Sequence, residues 1–150
     1  MGEQRYTGEE RAWVTAVTEM ANVARRALEP GLQKDARGTA ISAGACLHAA
    51  VLLAELIGKF GNGQVVVRGG SGENGTGALD TEGRFQGHYW VEASWGDVVL
   101  AADITGDQFG HASVRVLGLD EARGVLRPGE QSVVDTAADE LRLELGMGVR

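Results

Sequence analysis

One cysteine, no long apolar run and a shortage of basic residues set the outer limits on this chain. A single thiol, Cys46, cannot close an internal disulfide, so nothing in the sequence asks for an oxidising compartment. The opening residues, Met1 to Arg5, carry no apolar stretch, and the longest apolar segment is broken by His48, Glu55 and Lys59. Neither a signal peptide nor a membrane span is expected, and the protein reads as cytoplasmic. Lys and Arg number 14 against 21 Asp and Glu, a formal net charge of −7. That deficit argues against nucleic acid as a partner, because holding a phosphate backbone takes clustered cations. The acidity reads as a solubility feature.

The 150 residues suit one domain spanning 1–150, long enough to bury a core without staples, with that core at about 44–117. Glycine is the residue in excess: 23 of 150 positions, about twice the usual share. Much of it lies in Gly69-Gly70-Ser71-Gly72-Glu73-Asn74-Gly75-Thr76-Gly77, inside a polar stretch that runs to Gly87. A glycine-rich phosphate cradle needs a helix directly behind it, often with a lysine, and neither follows here. The stretch from Gly72 to Gly77 is expected to be a mobile surface loop or lid.

Thr7-Gly8-Glu9-Glu10 has the form of a capping box and predicts a helix. Trp13, Val17, Met20, Ala24 and Leu28 recur at helical spacing until Pro30-Gly31 stops the run, so Trp13 is expected in the core. Gln33 to Ala43 reads as a connecting loop with Ser42 as a helix cap. From Gly44 to Lys59 nearly every face is apolar, the pattern of a buried helix, and Phe60-Gly61-Asn62-Gly63 ends it. Gln64 to Arg68 is a strand by β-branched content. His88 to Ser94 and Val98 to Asp103 form a hairpin around Trp95-Gly96-Asp97. A turn over Thr105 to Gly110, a strand over His111 to Leu117, a loop over Arg123 to Glu130 and a helix over Ser132 to Leu145 complete the chain. The fold class is α+β: N-terminal helices on a small antiparallel β-sheet, followed by a C-terminal helix.

Cys46 falls in the first turn of the buried helix, where unpaired backbone N–H groups and the helix dipole favour a thiolate. The hairpin supplies two further groups. If its loop is centred between Trp95 and Gly96, His88 faces Asp103; if Gly96-Asp97 is a two-residue turn, Asp103 pairs with Trp90 and lies diagonal to His88. Both registers place His88 and Asp103 on one face of the sheet. A thiol at a helix start, a histidine on a strand and a carboxylate on the next strand make an acyl-transfer triad. Cys46 would attack a carbonyl carbon, His88 would carry the proton, and Asp103 would orient the imidazole. The backbone N–H of Cys46 is the first oxyanion donor, with a second expected from the loop over 33–45. His48 lies on another side of the helix and is a poor base for this thiol. Asp107, Gln108 and His111 follow the hairpin closely enough to line the same cleft, as substrate contacts or as loop scaffolding. Cys46, His88, Asp103 and His111 lack the short ligand spacings of zinc sites, so no metal or other cofactor is expected.

Gly44-Ala45-Cys46 ahead of Ala-Val-Leu-Leu-Ala-Glu-Leu, the strand Val-Val-Val-Arg-Gly, then His88-Tyr-Trp-Val-Glu92 and Asp103-Ile-Thr105, resemble the transglutaminase-like cysteine superfamily of the papain-like group. The resemblance covers about residues 44–110. It implies a papain-like α+β fold, a catalytic Cys46, His88 and Asp103, and substrate contacts at Trp90, Gln108 and His111. It further implies a cysteine-dependent amide hydrolase or acyltransferase acting on a peptide or protein through a thioester. Ile104 where proline is commoner, Leu47 where an aromatic is commoner, and the glycine-rich insertion before His88 bear on the substrate class. The alternative is a non-enzymatic binding or assembly module on the same fold.

Overall fold

The computed structural model describes residues 6–38, 40–42 and 44–147. Helix α1, Gly8–Leu28, starts as its capping box requires: Glu10 N donates to Thr7 Oγ1 at 3.1 Å and Thr7 N to Glu10 Oε1 at 2.8 Å. Its buried stripe is Trp13, Val17, Ala21, Ala24 and, unexpectedly for a charged residue, Arg25. A 3-10 turn with Pro30 at its start closes the helix. Strands β1, Gln33–Lys34, and β2, Ala40–Ile41, pair antiparallel within the stretch expected to be loop. Thr39 and Ala43 of that stretch lie outside the described residues, as does the opening segment 1–5.

Helix α2, Cys46–Phe60, buries Ala49, Ala50, Val51, Leu53, Ala54 and Ile57. Its N-cap is Ala45, with no side-chain cap. Ser42, expected in that role, instead turns its hydroxyl to Asp107 and Thr105, for a reason given below. Strand β3, Gln64–Gly70, is followed by β4, Gly77–Leu79, and β5, Phe85–Gln86. Then come β6, His88–Trp95, and β7, Val98–Asp103. A 3-10 turn at Gly106–Phe109 leads to β8, Arg115–Gly118, later than the predicted strand start at His111. A short α3, Leu119–Ala122, precedes β9, Leu126–Arg127, inside the predicted loop, and α4, Gln131–Glu144, ends the described fold.

The main sheet has order β3-β6-β7-β8, with every neighbour antiparallel. Trp95 pairs with Val98, so Gly96-Asp97 is the two-residue turn, and Gly96 takes φ 57° at the first central position, where a type II′ hairpin favours glycine. Strand alternation sends Val67, Val91, Ala93, Val98, Leu100 and Ala102 into a core with α1, α2 and α4. The opposite face carries Trp90 and Ala101 against Ala78, Ala122 and Leu126. The exposed edge of β3 is covered: Gly129 N donates to Gly69 O at 2.7 Å and Gln131 Nε2 to Val67 O at 2.8 Å. Among the described residues no helix is long and apolar enough to cross a membrane.

Glu73–Gly75 form an exposed 3-10 turn at the surface, as expected of a surface loop, and the stretch becomes a strand from Gly77. Strands β5, β4 and β9 form a second, three-stranded sheet, and Ala78 at its centre is fully buried against Trp90 and Leu126. The glycines serve close backbone approach. A Cβ at Gly77, where φ is 102°, would lie 2.0 Å from Gln86 O, and one at Gly70 would lie 2.3 Å from Gly77 N. Gly77→Ala is therefore expected to destabilise the protein by at least about 2 kcal/mol, through strain and a forced backbone shift. Urea unfolding of the variant checks this, and a midpoint equal to wild type contradicts it.

Candidate active site

His88 opens β6 and Asp103 closes β7, so both stand at the same end of the hairpin. The observed register, continued by one step, sets Asp103 opposite Trp90 and diagonal to His88. His88 Nε2 lies 2.9 Å from Asp103 Oδ1, and both residues are 1% exposed. An ionised carboxylate only accepts, so Nε2 carries the hydrogen and Nδ1 is the free face of the ring. Cys46 is the first residue of α2 and half-buried, and its side chain lies close enough to the imidazole to help raise the His88 pKa. Alternation puts His88 on the Trp90 side of the sheet while α2 packs on the other. The helix start therefore meets the imidazole at the strand ends, beyond the sheet body.

Burial alone pushes the His88 pKa down, but the hydrogen bonds and charges of Asp103 and Cys46 outweigh it and hold the imidazole up at about 9. Asp103 shows the converse balance. Desolvation pushes its carboxyl up, yet the contact with His88, the Thr105 N–H at 3.0 Å and the Arg115 charge hold it below the usual carboxylate range. Trp90 stacks beside the ring at 6.2 Å and Phe109 meets it edge-on at 4.9 Å, excluding water from all but the thiol side.

The four-residue turn Gly106–Phe109 after Thr105 is the wall of the site, and Asp107 holds it. Arg25 Nη1 and Nη2 grip Asp107 Oδ1 and Oδ2 at 2.9 and 3.0 Å, while Nη1 also donates to Ile104 O. Ser42 Oγ donates to Asp107 Oδ1 at 2.6 Å and lies 3.3 Å from Thr105 O. One carboxylate thus ties α1, the approach to Cys46 and the turn beside His88. Gln108 on that turn places Nε2 3.1 Å from Thr105 O and 3.4 Å from His88 Nδ1.

Of the expected substrate contacts, Gln108 alone reaches the imidazole's free face. Trp90 is a correction: at 1% exposure it offers no surface to a substrate and instead backs His88, with its Nε1 directed at Glu92 Oε2 3.3 Å away. Glu92 is itself gripped by Arg68 and bidentately by Arg123, whose charges hold its carboxyl low against burial, fixing the wall behind Trp90. His111 scaffolds: its Nε2 pairs with Leu79 O at 2.7 Å, joining the turn to β4. His48 is exposed on α2. Asp107 was expected at the cleft, whereas Arg25 and Arg115 were not anticipated. Arg25 was signalled by a charge on the apolar stripe of α1, whereas Arg115 and the junction role of Asp107 depend on contacts far apart in sequence. A groove of about 370 Å³ lined by Gly70, Tyr89, Glu130, Val133 and Val134 includes none of Cys46, His88 and Asp103. Among the described residues no group of three His, Cys, Asp or Glu side chains converges as a metal site would require.

A scan of protein-family models, a search of curated proteins and a search of solved structures find no match.

The raised pKa of His88 links stability to pH. With the folded value near 9 above an unfolded value of about 6.5, the contribution is complete below pH 6.5 and is lost as pH rises through 9. The loss is on the order of 3 kcal/mol. Asp103, held low, contributes stability that is present above its ordinary range and is lost as pH falls through its folded value. Denaturant unfolding from pH 6 to 9.5 should show the alkaline decline in the wild type and a flatter profile in His88→Gln. Equal slopes in the two proteins would contradict the assignment.

Proposed function

We propose that the protein is a cysteine-dependent acyl-transfer enzyme, an amide hydrolase or acyltransferase, with Cys46 as nucleophile, His88 as acid–base and Asp103 as orienting carboxylate. The observation that carries this reading is the buried His88 Nε2 to Asp103 Oδ1 contact at 2.9 Å, with Cys46 at the first position of α2 on the ring's remaining side. The motif resemblance to the transglutaminase-like cysteine superfamily supports it, and so does the α+β arrangement of a helix-start thiol beside an antiparallel hairpin.

In the proposed reaction His88 Nδ1 already holds the proton given up by Cys46, and the thiolate sulfur adds to the substrate carbonyl carbon. The imidazolium returns that proton to the leaving amine, and a thioester remains on Cys46. Water, or a second amine, then gives its proton to Nδ1 and attacks the thioester carbon, and the proton passes back to sulfur as the thiol leaves. Asp103 stays ionised throughout, holding the ring orientation and balancing the imidazolium. The Cys46 backbone N–H, unpaired at a helix start, is the first oxyanion donor. A peptide or protein side-chain amide suits the half-open thiol better than a small buried ligand does. A single thiol working as a nucleophile also fits a reducing compartment such as the cytoplasm.

A second reading, a non-enzymatic binding or assembly module on the same architecture, draws on Gln108. Its carboxamide lies 3.4 Å from the same Nδ1 that the thiol needs.

Iodoacetamide labelling of Cys46 from pH 5 to 9 separates the two. In the proposed enzyme the wild type labels quickly at pH 6, where an ordinary thiol of pKa about 8.5 is almost wholly protonated, and His88→Ala slows labelling by about ten-fold or more. Slow labelling in both proteins, with the same ordinary pH profile, would defeat the enzyme reading and leave the module.

A further inference from the structure

β8 pairs with β7 so that Arg115 stands directly opposite Asp103. Arg115 Nη2 donates to Asp103 Oδ2 at 3.0 Å, on the far side of the carboxylate from the oxygen that accepts from His88 and Thr105 N. The carboxylate is 1% exposed and the arginine side chain 12%. Arg115 Nε is buried and has no hydrogen-bond partner among the described residues. The space beside it is kept by Gly106, where a Cβ would lie 3.2 Å from Arg115 Nε and 3.4 Å from Asp103 Oδ2.

As a stabilising device this pair is poor. Desolvating two charges cancels most of their attraction, and an orphaned buried donor is a further cost. What the arrangement does accomplish is specific to Asp103. It ties the second oxygen, so the carboxylate cannot rotate away from the imidazole, and it sets a second positive charge against the one that forms on His88. Among the described residues the groups facing the His88 ring are Asp103 from β7, Cys46 from α2, Gln108 and Phe109 from the following turn and Trp90 from its own strand. Asp103 is the fixed charge in that set, so whatever grips Asp103 governs the ring.

We propose that Arg115 is a positioning residue of the triad, which orients Asp103 through Oδ2 and, by sharing its charge, keeps the proton on His88 loose enough to be handed to a leaving group. This rests on the acyl-transfer reading of Cys46 and His88. Without Arg115 the whole carboxylate charge falls to the imidazole, which then holds its proton to higher pH.

NMR titration of the His88 imidazole in the full chain tests the inference. Arg115→Gln should raise the His88 midpoint by about one pH unit, whereas Arg115→Lys, which keeps the charge, should stay near wild type. Arg115→Met, which keeps the apolar stem, replaces the glutamine variant if that does not fold. A merely structural arginine would lower the melting temperature in both variants and leave the His88 midpoint unmoved, or lowered by a misplaced Asp103; either outcome overturns the proposal. Cys46 is the same in every variant, so its contribution to the His88 midpoint is shared and the differences between variants report Arg115. An unmoved midpoint together with fast wild-type labelling of Cys46 removes the Arg115 role alone, and slow wild-type labelling removes the acyl-transfer reading alone.

Discussion

A carboxylate that is 1% exposed stays ionised only if its surroundings replace the water it has lost, and at Asp103 they do so from three directions. His88 Nε2 and the Thr105 N–H take one oxygen, and Arg115 takes the other. Each donor comes from a different place: the partner strand of the hairpin, the turn that follows, and the neighbouring strand β8. The site exists because the sheet register brings these together, and a slip of one residue in either pairing would turn Asp103 to the opposite face. The type II′ turn at Gly96-Asp97 and the alternation of β6 and β7 fix that register from within the hairpin.

The thiol is placed by a separate device. Cys46 begins a helix with no side-chain cap, so the position of its first turn has to be set by what precedes it. Ser42, four residues earlier, is hydrogen-bonded to Asp107, and Asp107 is held bidentately by the buried Arg25 of α1. The approach to the nucleophile and the turn carrying Gln108 and Phe109 are thereby fastened to one point. A serine that capped α2 directly would stabilise the helix locally; one spent on Asp107 aligns the helix start with the base instead.

Most of the architecture could be read from the sequence, because local patterning decides it. The capping box of α1, the apolar faces of α2 and α4 and the β6–β7 hairpin each follow from spacing within a dozen or so residues. The His88–Asp103 contact was legible for the same reason: both residues lie on one hairpin, and either candidate register put them on one face. The strands that follow the glycine-rich turn were missed because glycine-rich composition suggests looseness. There the glycines admit a second sheet at backbone contact distance, and the information lay in Ala78 and Leu126, whose partner Trp90 is on another sheet. Ser42 as a cap, Trp90 as a substrate contact and His111 as a candidate cleft residue rested on local position, whereas their contacts are with residues distant in the chain. Arg25 differed: a guanidinium on an otherwise apolar stripe implies a buried anion, although nothing local says that the anion is Asp107.

The depth of the two reacting groups constrains the proposed chemistry further. The His88 side chain is wholly buried, walled by Trp90, Phe109 and Asp103, while Cys46 is half-buried. A substrate carbonyl, and afterwards an acceptor, can therefore reach the imidazole only across the sulfur. In such a site the base exchanges protons with whatever is bound at Cys46 and little with bulk water, so its protonation state is set by fixed neighbours. That makes the balance of charge around Asp103 the controlling quantity. With the carboxylate wholly committed to the ring, the imidazole would hold its proton to still higher pH than the value of about 9 it has here. Dividing the same charge with Arg115 weakens that hold while keeping Asp103 ionised, which is what a group that must act as both acid and base requires.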